Sequence, residues 1–241
     1  MQSRATLAIA CVLLAGGCGE SSEAPPRSAE PADAPTPTAA KGVLVAALGD
    51  SIVAGTPLWD PDPRVRAAIG PTVDERSQLG YWAKRRLPAS ARFRNCGVNR
   101  QRTDEIRARL DTCAKGARVL LVQGGINDIA QQRPVGDAAA DLRAMVKAGK
   151  QRGARVLLAE VLPWNNGHPT ADAPIRELNG LIGQIGRDEN VTVLPFYRTL
   201  EDPRRPGRMR RELTIEGDHP SLDGYRRLGE LVKLPPGSSD R

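Results

Sequence analysis

The chain has 241 residues, of which 40% are hydrophobic, 3% aromatic and 26% charged, and its formal net charge is +7. This composition excludes a wholly disordered chain and a protein with many membrane spans, and the length suits one domain or a small pair. The basic balance leaves nucleic-acid binding open until the motifs are considered.

The N-terminus has the features of a signal peptide. Arg4 precedes an apolar run over residues 5–17, which is too short to span a bilayer but suits the hydrophobic region of a secretory signal. The run ends in LAGGC at residues 14–18, which resembles the lipobox of bacterial lipoproteins. We therefore expect a signal peptide over residues 1–17 and a lipid on Cys18, with an ordinary secretory signal as the alternative.

A tether follows the predicted signal. Residues 18–41 are rich in proline, alanine, serine and glutamate and contain no aliphatic side chain larger than alanine. Such a segment cannot bury enough apolar surface to offset its chain entropy, so we expect it to be disordered. Three basic and four acidic residues precede residue 42, so the predicted domain over residues 42–241 carries a formal charge of +8.

The use of cysteine agrees with export. Cys11 lies in the predicted signal and Cys18 would carry lipid, which leaves Cys96 and Cys113 in the domain. Two cysteines in an oxidising compartment are natural disulfide partners, although two buried free thiols are the alternative. With two histidines in the chain and no CxxC spacing, we expect neither a metal nor a cofactor.

Strands and helices alternate over the rest of the chain. The predicted strands are short and nearly continuously apolar, which is typical of parallel strands covered on both faces. They lie at Val43–Leu48, Ala91–Asn95, Ala117–Gln123, Ala154–Glu160 and Val191–Leu194. Helical patterns lie at Asp74–Leu87, Thr103–Cys113, Asp137–Arg152, Ala173–Asn190 and Ser221–Val232. This order predicts an α/β fold, a three-layer α/β/α sandwich around five parallel strands.

Residues capable of chemistry follow three of the strands and precede the last helix. GDSIVAG at 49–55 contains Ser51, NCGVN at 95–99 contains Gly97, GGIND at 124–128 contains Asn127, and EGDHPSLDGY at 216–225 contains His219. Open α/β sheets bind ligands at the carboxyl ends of their strands, where these residues would converge. Taken singly, Gly97 fits an ordinary turn and Asn127 a helix N-cap.

Together and in this order, the four motifs resemble the conserved blocks of the SGNH (GDSL) hydrolase superfamily, over essentially all of residues 42–241. The resemblance implies Ser51 as nucleophile and His219 as general base and then acid. It also implies an oxyanion hole formed by the N–H groups of Ser51 and Gly97 with the side chain of Asn127, on a flavodoxin-like fold. The chemistry is consistent, because a serine needs an adjacent base and a tetrahedral intermediate needs donors for its oxyanion.

The acid departs from the family pattern. The family places an aspartate three residues before the histidine, and here Glu216 occupies that position. A glutamate replaces aspartate in some Ser-His-acid sites, so we assign Glu216 to orient His219. One alternative is that Asp218 orients the histidine. The other is a Ser–His dyad in which a backbone carbonyl orients it.

Four other residues are either part of the site or ordinary loop and packing residues. His168 is the one rival histidine, and we expect it to be a loop residue near the rim of the pocket. Trp59, Trp164 and Phe196 are candidates to line an acyl or leaving-group pocket, with local packing as the alternative.

The sequence thus predicts an extracytoplasmic serine esterase or lipase that cleaves carboxylic esters, with thioesters as an extension. Lipids, acylated glycans and small acyl esters are the expected substrates, and a catalytically idle relative that binds envelope glycan or lipid is the alternative. We expect a monomer attached to the cell membrane or envelope through Cys18, or secreted if Cys18 is unmodified. Nucleic acid is not an expected partner, because aromatics are scarce and the basic charge suits an anionic envelope.

Overall fold

The computed structural model describes residues 42–164 and 168–234. The predicted signal peptide, the lipid on Cys18 and the tether over residues 18–41 lie outside the described residues. Within the described ranges, no helix is long and apolar enough to cross a bilayer.

A parallel sheet of five strands forms the centre of the fold. The strands are β1 (Leu44–Gly49), β2 (Arg92–Gly97), β3 (Val119–Val122), β4 (Arg155–Ala159) and β5 (Thr192–Leu194). Their order across the sheet is β2-β1-β3-β4-β5, which is the flavodoxin-like order. The predicted α/β sandwich of five parallel strands is confirmed. A short antiparallel pair, β6 (Thr214–Ile215) and β7 (His219–Pro220), precedes the last helix.

Helices connect the strands and cover both faces of the sheet. The short ones are α1 (Ser51–Ala54), α2 (Pro63–Ile69), α3 (Leu79–Lys84), α4 (Thr103–Ala108), α5 (Leu110–Ala114), α6 (Ile126–Ala130) and α9 (Phe196–Leu200). The longer ones are α7 (Val135–Gln151), α8 (Asp172–Asp188) and α10 (Leu222–Gly229). Short 3₁₀ turns lie at Gly70–Thr72, Pro169–Ala171 and Arg211–Leu213.

Alternate residues of the central strands β1, β3 and β4 enter two separate apolar cores. In β1, Leu44, Ala46 and Leu48 pack into the core that α7 and α8 cover. Val45 and Ala47 face the opposite core, which includes Phe196, Tyr225 and Leu228. Every residue of β1 is buried, as expected of a central parallel strand.

Two predicted helices differ from the observed ones for local reasons. The first begins at Leu79 rather than Asp74, because the Asp74 carboxylate accepts the N–H of Arg76 and holds a turn there. The second is divided into α4 and α5 at Arg109, whose φ and ψ are −98° and 1°.

A disulfide joins Cys96, at the end of β2, to Cys113 in α5. The bond closes a loop with a sequence separation of 17 residues, which is worth about 3 kcal/mol in the chain-entropy account. It therefore fixes the end of β2 against the helix that follows, next to the sheet edge where the motifs lie.

Candidate active site

The predicted nucleophile, base and amide donor share one cavity at the carboxyl end of the sheet. Ser51, Asn127 and His219 all line this cavity, which has a volume of about 270 Å³. They come from three distant parts of the chain, namely α1 after β1, α6 after β3, and β7. Below, this space is called the catalytic cavity.

Ser51 is the first residue of α1, and its neighbour Asp50 fixes the turn before it. The Asp50 carboxylate accepts the N–H of Ile52 at 2.9 Å and the Gln123 side-chain amide at 3.1 Å. Asp50 is fully buried, and this burial raises its pKa to about 6. The strand-to-helix turn is therefore held from below by Gln123 at the end of β3, and Ser51 is left facing the cavity.

His219 lies against Ser51. Its Nε2 is 3.1 Å from the Ser51 Oγ, which is the distance at which a base can accept the hydroxyl proton. His219 is half-buried, and this burial lowers its pKa below the ordinary value of 6.5. The charges of Asp218 and, to a lesser degree, Glu216 oppose this shift. A histidine that stays neutral at pH 7 is suited to act as a base.

The two candidate acids differ in position. Asp218 lines the catalytic cavity, and its carboxylate accepts the indole N–H of Trp164. Glu216 lies in the turn between β6 and β7 with a positive φ of 58° and is not among the cavity residues. Both act on the ring through charge, Asp218 more strongly.

Asn127 is fixed in the first turn of α6. Its side-chain Nδ2 donates to the Gln101 carbonyl at 3.0 Å, which ties α6 to the loop after β2. The turn before it requires glycine, because Gly125 has a φ of 120° and a Cβ there would lie 2.5 Å from Leu178. The Asn127 amide therefore reaches the cavity with a fixed orientation.

Gly97 is not brought into the catalytic cavity. Its N–H donates to the Asn95 side-chain oxygen at 2.9 Å, and the residue lines a separate groove. A glycine is needed here for packing, since a Cβ would lie 2.0 Å from the Ala54 nitrogen. The geometry therefore corrects the prediction that the Gly97 N–H is an oxyanion donor: that group already has an acceptor.

The sequence analysis missed Arg100, three residues further along. Arg100 lines the catalytic cavity and has a positive φ of 67°, which is uncommon for a residue with a side chain. Among the described residues, the backbone N–H groups of Arg100 and Ser51 have no protein acceptor. No glycine marks this turn, so no sequence signal distinguished it.

Arg109 fixes the loop that carries Arg100 through side-chain hydrogen bonds. Its half-buried guanidinium donates to the Gln101 side chain at 2.7 Å, to the Cys96 carbonyl at 2.7 Å and to the Gly49 carbonyl at 3.1 Å. The ends of β1 and β2 and the loop carrying Arg100 are thus joined by one side chain. Arg109 lies at the break between α4 and α5.

The GDSL-like lipase/acylhydrolase family model matches residues 47–227. This chain belongs to that family. Its members hydrolyse esters, and the chain is an esterase or lipase-type hydrolase with an SGNH fold. No curated protein matches the chain.

Solved structures agree on the fold of this GDSL-like hydrolase. A G-D-S-L lipolytic family protein from Desulfitobacterium hafniense has a TM-score of 0.64 at 22% identity, covering 78% of this chain and 97% of its own. The lipase/acylhydrolase from Enterococcus faecalis has a TM-score of 0.62 at 22% identity, covering 78% of this chain and 92% of its own. At such identities the likeness concerns the fold alone.

The remaining aromatic candidates of this GDSL-like hydrolase are divided among three places. Trp164 lines the catalytic cavity, and His168 stacks on it with ring centroids 3.6 Å apart. Trp59 lines the separate groove. Phe196 is fully buried in the core, which agrees with the packing alternative and not with a pocket role. Within residues 42–164 and 168–234, no three His, Cys, Asp or Glu side chains are grouped to hold a metal.

Proposed function

We propose that this hydrolase cleaves carboxylic esters through an acyl-enzyme on Ser51, with His219 as the base. The observation that carries the proposal is the 3.1 Å contact between His219 Nε2 and Ser51 Oγ inside an open cavity. A serine hydroxyl is a weak nucleophile until a base in this position takes its proton.

The proposed reaction has two steps, acylation of Ser51 and hydrolysis of the acyl-enzyme. Ser51 Oγ bonds to the ester carbonyl carbon as its proton passes to His219 Nε2, and the carbonyl oxygen becomes an oxyanion. Collapse of this intermediate breaks the bond to the leaving oxygen, which takes the proton from His219. Water then repeats the sequence on the acyl-enzyme, so that the acid is released and Ser51 regains its proton.

We assign the oxyanion to the Ser51 N–H, the Asn127 side-chain amide and the backbone N–H of Arg100. The assignment of Arg100 rests on its place in the cavity wall and on its N–H having no protein acceptor among the described residues. Each such donor is commonly worth about 3–4 kcal/mol in the transition state. Glu216, or alternatively Asp218, is proposed to stabilise the imidazolium that forms on His219.

The test is a panel of p-nitrophenyl esters from acetate to palmitate, measured with the wild-type protein and with Ser51→Ala. We expect turnover of at least one chain length that depends on Ser51. A folded protein with no Ser51-dependent turnover on any ester would overturn the proposal and leave the idle relative as the better account. Lipids, acylated glycans and small acyl esters remain the proposed natural substrates.

We further propose that the enzyme acts outside the cytoplasm as a monomer anchored through Cys18. The apolar run ending in LAGGC at residues 14–18 and the Cys96–Cys113 disulfide support this location. Incorporation of labelled palmitate that disappears in Cys18→Ser is the expected result. Equal labelling of both proteins would contradict the anchor.

The pH dependence of kcat/KM should reflect the protonation of His219. Because the base must be neutral, kcat/KM should fall as pH drops through the His219 pKa, which burial places below 6.5. Asp218→Asn removes a negative charge that raises this pKa, so the acidic limb should move to lower pH. Glu216→Gln should move it in the same direction by less, and Glu177→Gln, exposed on α8, should not move it.

The same pair of variants tests the assignment of the orienting acid. If Glu216 orients the ring, Glu216→Gln should lower kcat more than Asp218→Asn does. Full turnover in Glu216→Gln together with its loss in Asp218→Asn would transfer the role to Asp218.

A further inference from the structure

A second opening lies beside the catalytic cavity and is larger, about 460 Å³. We call it the side groove; its apolar wall includes Pro57, Trp59, Val65, Ile69 and Val98. Val65 and Val98 are 42% and 39% exposed, and they are the large hydrophobic residues that stand out as exposed in the described chain. Single exposed apolar residues are ordinary, but these two come from separate segments and face the same groove.

Helix α2 forms one wall of the side groove, and no buried apolar side chain holds it there. None of the α2 residues is buried. The Asp62 side chain accepts the Arg64 N–H at the start of α2, and Arg66 donates to the Asp60 carbonyl while its guanidinium lies 4.6 Å from the Trp59 ring centroid. Polar contacts therefore hold the helix in place. Its apolar side chains Val65 and Ile69, four residues apart, are left facing the groove.

The acidic residues of the groove do not change its apolar character. Asp62 pairs with Arg64 and caps α2, and the buried Asp60 carboxylate accepts the Asp62 N–H. Two carboxylates would also repel an anionic ligand. An uncharged hydrocarbon chain is therefore the ligand class that suits this groove, whose volume lies in the usual range for small-molecule sites.

The groove meets the catalytic cavity at Asn99, which lines both. Trp164, Asp218 and His219 also line the catalytic cavity, but none of these three lines the groove. Since the leaving oxygen must take a proton from His219, the leaving group lies on the His219 side. The acyl chain then extends from Ser51 toward Asn99. We propose that the side groove binds the acyl chain of the ester, an inference that rests on the proposed esterase function.

The experiment compares p-nitrophenyl dodecanoate with p-nitrophenyl acetate. In the wild-type protein kcat/KM should rise with chain length, by up to about fourfold for each methylene that is buried. The double variant Val65→Ser/Val98→Ser should lower the dodecanoate-to-acetate ratio of kcat/KM about tenfold. Ala67→Ser, on an exposed position of the same helix outside the groove, should leave the ratio unchanged. Because the readout is a ratio, a general loss of folded protein cannot imitate it.

A binding measurement separates this inference from the proposed function. Dodecanoate binding to the Ser51→Ala protein, followed by calorimetry, should weaken about tenfold in Val65→Ser/Val98→Ser. Absence of Ser51-dependent turnover would overturn the esterase proposal, whereas an unchanged dodecanoate Kd or an unchanged ester ratio would overturn the acyl groove.

Discussion

Ser51→Ala is expected to lower kcat/KM by at least about 10⁴-fold, the largest effect of any single substitution in the chain. The hydroxyl is the atom that forms the acyl-enzyme, and the fully buried Asp50 and Gln123 fix the turn that presents it. Alanine keeps the backbone N–H of residue 51 and the packing of α1, so the fold should survive. Unchanged thermal unfolding together with lost turnover is the result that assigns the effect to chemistry.

His219→Ala should cost nearly as much, and the double variant should cost no more than either single one. Ser51 Oγ lies 3.1 Å from His219 Nε2, and the proposed mechanism passes the hydroxyl proton to that nitrogen, so removing either side chain removes the same step. The measurement is kcat/KM for the three variants on the best ester of the panel. Ser90→Ala, exposed at the opposite end of β2, serves as the control and should behave as wild type. Additive losses in the double variant would mean that the two side chains act separately.

The sequence was sufficient for the parts of the site that follow strands directly. A buried parallel strand is recognisable from its continuous apolar run, and the residue after it must lie at the carboxyl edge of the sheet. This rule predicts that Ser51 and Asn127 lie at that edge, and the structure has them in α1 and α6, directly after β1 and β3. His219 was predicted from its motif alone, because the apolar pattern of the sequence does not indicate the short β6–β7 pair.

The loop after β2 shows where such reasoning fails. The motif suggested the Gly97 N–H as an oxyanion donor. In the structure, however, this N–H donates to the side-chain oxygen of Asn95, two residues earlier. The chain then turns at Arg100 with a positive φ, a conformation that residue type does not predict for arginine. The turn is sustained by contacts from distant residues, namely Gln131 on its carbonyl and Asn127 on the next one. Long-range contacts of this kind cannot be read from a local pattern.

Asn127→Ala is expected to lower kcat by about 10²- to 10³-fold with a much smaller change in KM. The amide would bind the oxygen most strongly after the carbonyl has become an oxyanion, so its loss should affect the transition state more than the bound ester. The acidic limb of the pH profile should keep its midpoint, because Asn127 carries no charge that acts on His219. An equal rise in KM with unchanged kcat would contradict the role of an oxyanion donor.

The same substitution also removes the bond from Asn127 to the Gln101 carbonyl, so loosening of the loop must be separated from loss of the donor. Gln101→Ala provides that separation, because it removes the side chain that Arg109 binds on this loop while keeping Asn127 in the cavity. If Asn127 acts as a donor, Gln101→Ala should lower kcat by less than about tenfold. A loss in Gln101→Ala as large as in Asn127→Ala would instead show that the loop carrying Arg100, rather than the Asn127 amide itself, supplies the stabilisation.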